Sequence, residues 1–451
     1  MVNTVNTLEL MTIKQASKWA SEFLGRNITP SNISYLIQYG RVKRTANNGT
    51  VLINKGDLVK YYESYFGKRE SGWVGRIGDD LNWNLSFDYL KEAERTKHVH
   101  RLHPYKGKFI PQLVEYYLDS HVDDFKKQVC FERDDIILDP FCGSGTTLVQ
   151  ANELGMHAVG IDISSFNALI SNIKISNYNL VDLSNEVCRI TLALRQFVSD
   201  SKTVEFEQEL KEALANFNNK YFPSPDFKYK VISGKIKEEE YGAEREEKFR
   251  IIYQTLIDKY NIELKQEKID NFLDKWYIKH VRREIDFIHG LIDKNKDANM
   301  RNVLTIMLSR TIRSCRATTH FDLATLKKPV FSTYYCHKHG KICKPLFSIV
   351  SWWGRYSEDT ITRLAQFDKI RTGTNQICLA GDSRTIDIVD ELKKNHPTLA
   401  QLVKDKKIKG VFSSPPYVGL IDYHDQHAYA YDLFHFEKKL TRMQLEKAEY
   451  L

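Results

Sequence analysis

The stretch "DDIILDPFCGSGTTLVQANELGMHAVGIDIS" (residues 134–164) decides the fold of this chain. A short apolar strand over 136–138 turns through a glycine loop into a helix over 146–154. A second apolar strand follows over 158–161 and ends at Asp162. Because parallel strands need a crossover connection, this order of elements predicts a βαβ unit inside an α/β domain.

The glycine loop after the first strand is the first candidate ligand site. Gly143 and Gly145 have no side chains, which would let backbone amides approach a ligand. Asp162, at the end of the second strand, is placed to accept hydrogen bonds from ribose hydroxyls. The loop matches neither Gly-x-Gly-x-x-Gly nor Gly-Lys-Ser/Thr, so the dinucleotide and P-loop phosphate fingerprints do not fit. We therefore expect a nucleoside ligand that need not carry a phosphate.

A second motif lies near the end of the sequence, in "GVFSSPPYVG" (410–419). A strand predicted over 408–412 leads into two serines, two prolines and a tyrosine. A proline pair cannot continue a helix or donate to a sheet ladder, so it fixes a stiff extended corner where the strand ends. Taken alone, this corner is typical of an ordinary turn that terminates a strand.

Together the two motifs resemble the S-adenosylmethionine-dependent DNA methyltransferases that modify exocyclic amino groups. "DPFCGSGTT" resembles their cofactor loop, and Ser414-Pro415-Pro416-Tyr417 resembles their catalytic tetrapeptide. The resemblance implies a Rossmann-like class I methyltransferase fold that binds S-adenosyl-L-methionine. A large, mostly helical insertion and a small N-terminal domain would be added to this fold.

Two further stretches fit the same family. "HRLHPYKGKFIPQLVEYYL" (100–118) resembles the segment beside the methionine moiety, and a strand over 377–380 leads to Asp382, with a helix capped by Ser383. In the family, an acidic or polar residue at that strand end binds the adenine amino group. The resemblance thus assigns cofactor binding to Lys108, Phe109, Ile110, Asp139, Pro140, Phe141, Gly143, Gly145, Thr146, Thr147, Asp162, Ile163, Asp382 and Ser383.

The tetrapeptide suits methylation of an exocyclic amine, whose nitrogen is a poor nucleophile because its lone pair is delocalised into the ring. Ser414 Oγ and the Pro415 carbonyl would accept the amine hydrogens, and Tyr417 would stack on a flipped base. Methylation of a cytosine ring carbon needs a cysteine nucleophile after a proline, whereas Cys142 lies in the cofactor loop. In the resembled family, serine at the first position favours cytosine N4 over adenine N6.

Residues 8–63 resemble an excisionase-type winged helix-turn-helix domain. We expect a helix over 13–24, a second helix after Thr29-Pro30-Ser31, a basic strand with a glycine turn over 42–53, and a helix led by Asp57. Eight Lys and Arg residues face four Asp and Glu residues in this span, which supports DNA contact. The alternative is a small protein-interaction domain. The candidate DNA-binding residues are Ser31, Asn32, Tyr35, Arg41, Lys43 and Arg44.

The insertion is the candidate target-recognition region, with Arg313 and Arg316 as further phosphate contacts. It also holds one weak metal-like cluster, formed by Cys336, His337, His339 and Cys343. This cluster lacks a second CxxC or HxxxH pair, so a basic hairpin is the favoured interpretation and we assign no metal from the sequence.

These motifs predict four regions: a winged-helix domain at 1–66, the first methyltransferase part at 67–180, the insertion at 181–370 and the second methyltransferase part at 371–451. The strands predicted over 136–138, 158–161, 377–380 and 408–412 account for four of the seven that the resembled family has. We therefore expect either a second polypeptide that completes the sheet or a truncated product with an exposed sheet edge.

Composition restricts the functional class further. The chain carries 66 Lys and Arg residues against 58 Asp and Glu residues, a mild excess that suits a polyanionic partner. Seven scattered cysteines do not form a disulfide framework, and no signal peptide or membrane span is visible, so we expect a soluble cytoplasmic protein. The predicted partners are double-stranded DNA and a cognate restriction endonuclease, in a restriction-modification or defence system. The alternatives are an RNA base methyltransferase and a catalytically degenerate DNA-binding regulator.

Overall fold

The computed structural model of the chain describes residues 10–24, 28–38, 41–47, 50–63, 85, 87, 90, 92–105, 107–199, 201–320, 322, 326–415 and 426–437. The strands are β1 (Leu10–Thr12), β2 (Arg44–Asn47), β3 (Thr50–Asn54), β4 (Ile136–Asp139), β5 (His157–Asp162), β6 (Tyr334–Cys336), β7 (Lys341–Cys343), β8 (Gln376–Ala380) and β9 (Gly410–Val411).

The helices in chain order are α1 (Ile13–Phe23), α2 (Pro30–Gln38), α3 (55–63), α4 (Glu92–Arg95), α5 (Pro111–Leu118), α6 (Thr146–Glu153), α7 (Ser165–Ile175), α8 (Leu180–Ser199), α9 (Thr203–Tyr221), α10 (Asp226–Ile232), α11 (Glu238–Tyr260), α12 (Phe272–Trp276), α13 (Lys279–Asp293), α14 (Ala298–Ser314), α15 (Val350–Asp368), α16 (Ile388–Asn395), α17 (Pro397–Lys406) and α18 (Ala428–Phe434). A 3-10 turn over His98–Arg101 precedes α5. None of the described helices is long and apolar enough to cross a lipid bilayer.

The chain divides into two compact units that do not follow the four predicted regions. The first unit takes the described residues of 1–81, 202–262 and 318–345, and the second takes those of 82–201, 263–317 and 346–451. The predicted insertion is therefore not one body. Two of its segments belong with the N-terminal region, whereas α8, α13, α14 and α15 pack on one another within the second unit.

In the first unit, the N-terminal region forms a small antiparallel sheet in the order β1-β3-β2, with α1, α2 and α3. Thr12 and Gln15 form a capping box that starts α1. Thr29 and Asn32 exchange the equivalent hydrogen bonds at the start of α2. The helices and the sheet enclose an apolar core that includes Ala16, Ala20, Ile33, Ile37, Ile53 and Leu58. Helix α3 begins two residues before Asp57, close to its predicted start.

In the second unit, a parallel sheet has the order β8-β5-β4-β9. The predicted βαβ unit is confirmed, because β4, α6 and β5 follow one another and the two strands pair in parallel, with Ile136 opposite His157. Strands β4 and β5 are buried almost throughout, as expected for a parallel sheet covered by helices. Helices α16 and α17 pack on one side of this sheet. The apolar core between them contains Ile136, Val159 and Leu379 from the strands and Leu392, Leu399 and Val403 from the helices.

Two predicted details are wrong. The fourth strand is Gly410–Val411, shorter than the predicted 408–412. Ser383 does not cap a helix: α16 begins at Ile388, and the side chain of Asp387 caps it by accepting from the amide of Asp390 at 3.0 Å. The reason is a turn after β8, in which the carbonyl of Asp382 accepts two amide hydrogen bonds and delays the helix.

Gly160 gives a direct test of this packing. A Cβ at Gly160 would lie 2.5 Å from Cys142 Sγ, inside the buried contact between β5 and the glycine loop. We predict that Gly160→Ala lowers the free energy of unfolding by about 1–3 kcal/mol, because the loop or strand must shift. The measurement is urea denaturation followed by circular dichroism.

The matched control is Gly290→Ala in α13, where an added Cβ has no atom within 4 Å. Because alanine is the better helix former, this variant is expected to be more stable than the parent by about 0.5–1 kcal/mol. Equal effects of the two substitutions would contradict the described contact at Gly160.

Candidate active site

The candidate residues collect at one edge of the parallel sheet. Asp139 ends β4, Asp162 ends β5, Asp382 follows β8 and Ser414 follows β9. Because the four strands are parallel, their carboxyl ends share this edge, which is where open α/β sheets bind ligands.

The glycine loop is a tight turn that its two glycines make possible. Gly143 and Gly145 have φ values of +54° and +78°, in the left-handed region. A Cβ on Gly143 would lie 3.0 Å from the Tyr105 hydroxyl, and one on Gly145 would lie 2.9 Å from the Ser171 side chain. Both glycines are therefore required by the backbone and by the side chains packed against them.

The amides of these glycines do not behave as the sequence suggested. Gly143 N donates to Asp162 Oδ2 at 2.8 Å, and Gly145 N donates to the carbonyl of Cys142 at 2.9 Å. Both amides are thus engaged within the chain. In this structure the glycines let the loop close on itself and on Asp162, rather than leaving these two donors for a ligand.

Two side chains of helix α7 donate hydrogen bonds to carbonyls of the glycine loop. Ser171 Oγ donates to the carbonyl of Gly143 at 3.0 Å, and Lys174 Nζ donates to the carbonyl of Ser144. Lys174 is fully buried, and burial holds the pKa of its amine well below the ordinary lysine value. Lys174 was not predicted from the sequence, although a lysine within the apolar run of α7 is an unusual signal.

Asp162 accepts three hydrogen bonds from groups around the glycine loop and the start of α7. Its Oδ1 accepts from Ser164 N at 2.9 Å and from Asn167 Nδ2 at 3.1 Å, and its Oδ2 accepts from Gly143. Burial raises the pKa of Asp162 to about 6. An ionised carboxylate offers about four acceptor positions, so one position is left after these three bonds. Asp162 can therefore accept one further donor without losing an internal bond.

Asp139 joins the two sequence motifs. Its Oδ1 accepts from Ser413 Oγ at 2.5 Å and from the amide of Phe141 at 3.2 Å. Ser413 lies 274 residues away in the sequence, directly before the predicted catalytic tetrapeptide. Asp139 is buried, and burial raises the pKa of its carboxyl. Ser414 was predicted from the sequence and Ser413 was not, because the only signal for Ser413 was its position next to another serine.

The segment before Ser414 is also fixed through its backbone and by ring contacts. Phe412 N donates to the carbonyl of Leu138 at 3.0 Å. The Phe412 ring lies 5.5 Å from that of Phe109 and 5.7 Å from that of Tyr117, measured between ring centroids. Ser414 is partly buried and Pro415 is exposed, whereas Pro416 and Tyr417 lie outside the described residues.

The segment expected beside the methionine moiety lies in the same unit. Lys108 Nζ donates to the carbonyl of His100 at 2.9 Å, and burial lowers the pKa of this amine to about 8. Ile110 precedes α5 as its N-cap. In the loop and in α6, Phe141 is 41% exposed, whereas Thr146 and Thr147 are buried. Pro140 and Ile163 are partly buried next to the two strand-end aspartates.

The candidate adenine acceptor is already paired. Both carboxylate oxygens of Asp382 accept from the Arg384 guanidinium, at 2.6–3.2 Å, and this contact lowers the pKa of Asp382 to about 2. A base amino group at Asp382 would have to share these oxygens with Arg384. Ser383 lies in the turn between the two residues.

The predicted DNA-binding residues of the first unit fall into two groups. Ser31, Arg41 and Lys43 are exposed, whereas Asn32 accepts the capping bonds of α2 and Arg44 pairs with Asp226 at 3.3 Å. The side chain of Tyr35 lies outside the described part of the structure. Exposed cations without an ion pair in the described residues are the better candidates for phosphate contact.

The two arginines predicted at the end of α14 and just after it are less accessible than the sequence suggested. Arg316 is only 8% exposed, and its Nε donates to the carbonyl of Arg313 at 2.9 Å. Burial also lowers the pKa of the Arg316 guanidinium. Arg313 is partly exposed, so phosphate contact suits Arg313 better than Arg316.

Known proteins resemble this chain at two levels. A family model described as a DNA methylase, of the N6/N4 methyltransferase class, matches residues 37–172. The type II methyltransferase M.MjaII of Methanocaldococcus jannaschii is 44% identical over 432 residues, which is 94% of this chain and 79% of that protein.

Two other relatives match shorter parts. The type II methyltransferase M.MvaI of Kocuria varians is 24% identical over 132 residues, 29% of this chain and 28% of that protein. A tRNA (guanine(10)-N2)-dimethyltransferase of Methanocaldococcus jannaschii is 41% identical over 56 residues, only 12% of this chain and 16% of that protein. No solved structure matches the chain.

The link between Ser413 and Asp139 predicts different effects for two adjacent serines. Ser413→Ala should lower the free energy of unfolding by about 1–3 kcal/mol, because it leaves a buried carboxylate oxygen without its hydroxyl donor. Ser414→Ala should change it by no more than about 0.5 kcal/mol, since the described residues give Ser414 no side-chain hydrogen bond. Chemical denaturation of the two variants measures both values. A larger loss for Ser414→Ala than for Ser413→Ala would contradict the assignment.

Proposed function

The chain belongs to the N6/N4 class of DNA methyltransferases, and from this membership we propose that it transfers a methyl group from S-adenosyl-L-methionine to the exocyclic amino group of a flipped base in double-stranded DNA. The observation that carries the proposal is the hydrogen bond from Ser413 to Asp139. It fixes the start of the SPPY segment against the loop that the family resemblance assigns to the cofactor. The parallel sheet would then be the core of a Rossmann-like methyltransferase fold.

The described residues fit such a cofactor. Asp162 retains one acceptor position for a ribose hydroxyl, at the carboxyl end of β5. Phe141 presents an exposed aromatic side chain in the loop between β4 and α6. Tyr105 packs against Gly143 of the same loop. We propose that these residues bind the nucleoside. We also propose that Asp382 accepts a hydrogen bond from the base of the nucleoside while it remains bonded to Arg384.

Ser414 and Pro415 would activate the amino group. The cofactor, when bound, supplies an electrophilic methyl group. Ser414 Oγ and the Pro415 carbonyl accept the two hydrogens of the amine, which localises the nitrogen lone pair and aims it for attack. After attack the nitrogen releases one proton to water. The backbone bond of Phe412 to β4 and the Ser413 bond to Asp139 hold these acceptors in place before the base arrives.

The finer assignments extend the family resemblance. In the resembled family, serine at the first tetrapeptide position favours cytosine N4 over adenine N6, and Tyr417 would stack on the flipped base. In the first unit, Arg41 and Lys43 would contact DNA phosphates from a winged-helix domain. We propose a role in restriction-modification or defence. A second polypeptide that completes the sheet, a cognate endonuclease and a cytoplasmic location are predictions from the sequence alone.

The decisive experiment incubates the purified chain with S-adenosyl-L-methionine and unmodified genomic DNA, and quantifies methylated nucleosides by mass spectrometry. We expect N4-methylcytosine. N6-methyladenine would retain the enzyme and overturn the base assignment. Product on RNA but not on DNA would favour the rival RNA methyltransferase. Cofactor binding without any product would favour the rival binding protein.

Substitution of Ser414 tests the catalytic role within the same assay. Ser414→Ala should lower kcat by about 10²–10³-fold, because one acceptor that acts on the reacting group is lost. Its cofactor affinity should be unchanged. Ser184→Ala, an exposed serine of α8 in the same unit, is the control and should retain full activity. Full activity of Ser414→Ala would contradict the proposed role.

Cofactor binding should depend on pH through Asp162. The folded-state pKa of this carboxyl is raised to about 6, and its ionised form is the better acceptor for a ribose hydroxyl. Affinity should therefore be highest above pH 6 and fall as pH decreases, approaching about tenfold per pH unit well below 6. Calorimetric titration with S-adenosyl-L-methionine across this range measures it. The Asp162→Asn variant should bind weakly and lack this step, and a step that persists in the variant would contradict the assignment.

A further inference from the structure

A cluster of two histidines and two cysteines lies in the first unit, whereas the residues of the candidate active site belong to the second. Cys336 ends β6, His339 lies in the following turn, Cys343 ends β7, and His320 precedes the hairpin in the sequence. One potential ligand atom from each of the four side chains lies within 4.8 Å of every other. Such a cluster is close enough for all four groups to contact one ion.

The hairpin turn brings three of these residues together. The carbonyl of Cys336 accepts from His339 N at 3.1 Å and from Gly340 N at 2.7 Å. Gly340 has a φ of +61°, which favours glycine and permits the tight return of the chain. His339 Nδ1 lies 3.4 Å from Cys343 Sγ as a result. The fourth member joins from the preceding segment, with the His320 ring centroid 4.4 Å from that of His339.

The surroundings hold the cluster in position. The Tyr334 hydroxyl lies 2.8 Å from His320 Nδ1 and also accepts from His320 N at 3.1 Å. The side chain of Asn218 accepts from the amide of Ile342 and donates to its carbonyl, both at 3.0 Å, directly before Cys343. Glu246 accepts from the amide of Tyr335 at 2.8 Å. Contacts of this kind around a ligand set orient the ligands before a metal binds.

We propose that His320, Cys336, His339 and Cys343 bind one zinc ion as a structural site. Two sulfur and two imidazole ligands form the set that zinc prefers in tetrahedral structural sites, whereas magnesium and calcium require oxygen ligands. Four protein ligands fill a tetrahedral shell and leave no open position for catalysis. The site is therefore independent of methyl transfer.

The ligand set differs in one member from the cluster named in the sequence. His337 is exposed, and its Nδ1 lies 3.7 Å from a carboxylate oxygen of Glu238. The fourth member is instead His320, which precedes Cys336 by 16 positions in the sequence. Spacing within "CHKHGKIC" alone did not identify this ligand. Zinc would thus join the segment after α14 to the hairpin and stabilise a part of the first unit whose own apolar cluster is small.

Metal analysis of the purified full-length chain tests the site. We expect about one zinc per chain. His320→Ala and Cys336→Ser should each lower zinc affinity by more than about 100-fold, since even the loss of a residue that only supports a ligand costs about 10–100-fold. His337→Ala and Cys188→Ser are matched controls, because both residues are exposed and lie outside the cluster, and both should retain the metal.

Cobalt substitution of the wild-type chain provides a second readout that does not depend on the folding of a variant. Cobalt in the proposed site should give the intense visible bands of tetrahedral coordination and a near-ultraviolet charge-transfer band from thiolate. Tyr334→Phe should keep these bands and weaken metal binding by about 10–100-fold.

Three metal-binding results would each overturn the proposal: wild-type protein without bound zinc that gives no thiolate-cobalt band, full zinc retention by His320→Ala, or zinc loss in His337→Ala. A Cys336–Cys343 disulfide, detected by mass spectrometry after thiol alkylation, would also overturn it. Failure of methyl transfer would leave each of these outcomes unchanged, so the two proposals are tested separately.

Discussion

The hydrogen bond between Ser413 and Asp139 joins the two halves of the candidate site, which are 274 residues apart in the sequence. Asp139 is buried at the end of β4, where an ionised carboxylate without partners would be costly. The hydrogen bond from the Ser413 hydroxyl offsets part of this free-energy cost of burial. The same bond fixes the backbone just before Ser414. The pairing of β9 with β4 in the sheet is thereby coupled to the position of the proposed catalytic acceptors.

Asp162, the carboxylate at the end of β5, fixes the glycine loop of the site. Asp162 receives the amide of Gly143, and Lys174 and Ser171 hold the same loop by its carbonyls. The loop is therefore held by a carboxylate that receives its amide and by side chains of α7 that donate to it. This arrangement favours a rigid loop, and a ligand bound there would find its acceptors already oriented and would lose less entropy on binding.

Local patterns predicted the βαβ unit well. Apolar runs for β4 and β5 and the glycines around α6 depend on residues close in sequence, so their bounds came out within one or two residues. The cofactor-binding and tetrapeptide residues were assigned from the family resemblance, and their roles stay predictions. Features that depend on distant partners were missed, among them Ser413 against Asp139, Lys174 against Ser144 and the place of His320 beside the hairpin. The division into two units was missed for the same reason, because the chain leaves the first unit and returns to it twice.

The most direct test of the central claim is a crystal structure of this chain with S-adenosylhomocysteine. The account predicts that the nucleoside lies at the carboxyl ends of β4, β5 and β8, with a ribose hydroxyl hydrogen-bonded to Asp162 and the sulfur turned toward Ser414. The Ser413 bond to Asp139 should persist in that complex. A ligand bound elsewhere in the chain, or at this edge with no contact to Asp162, would contradict the account.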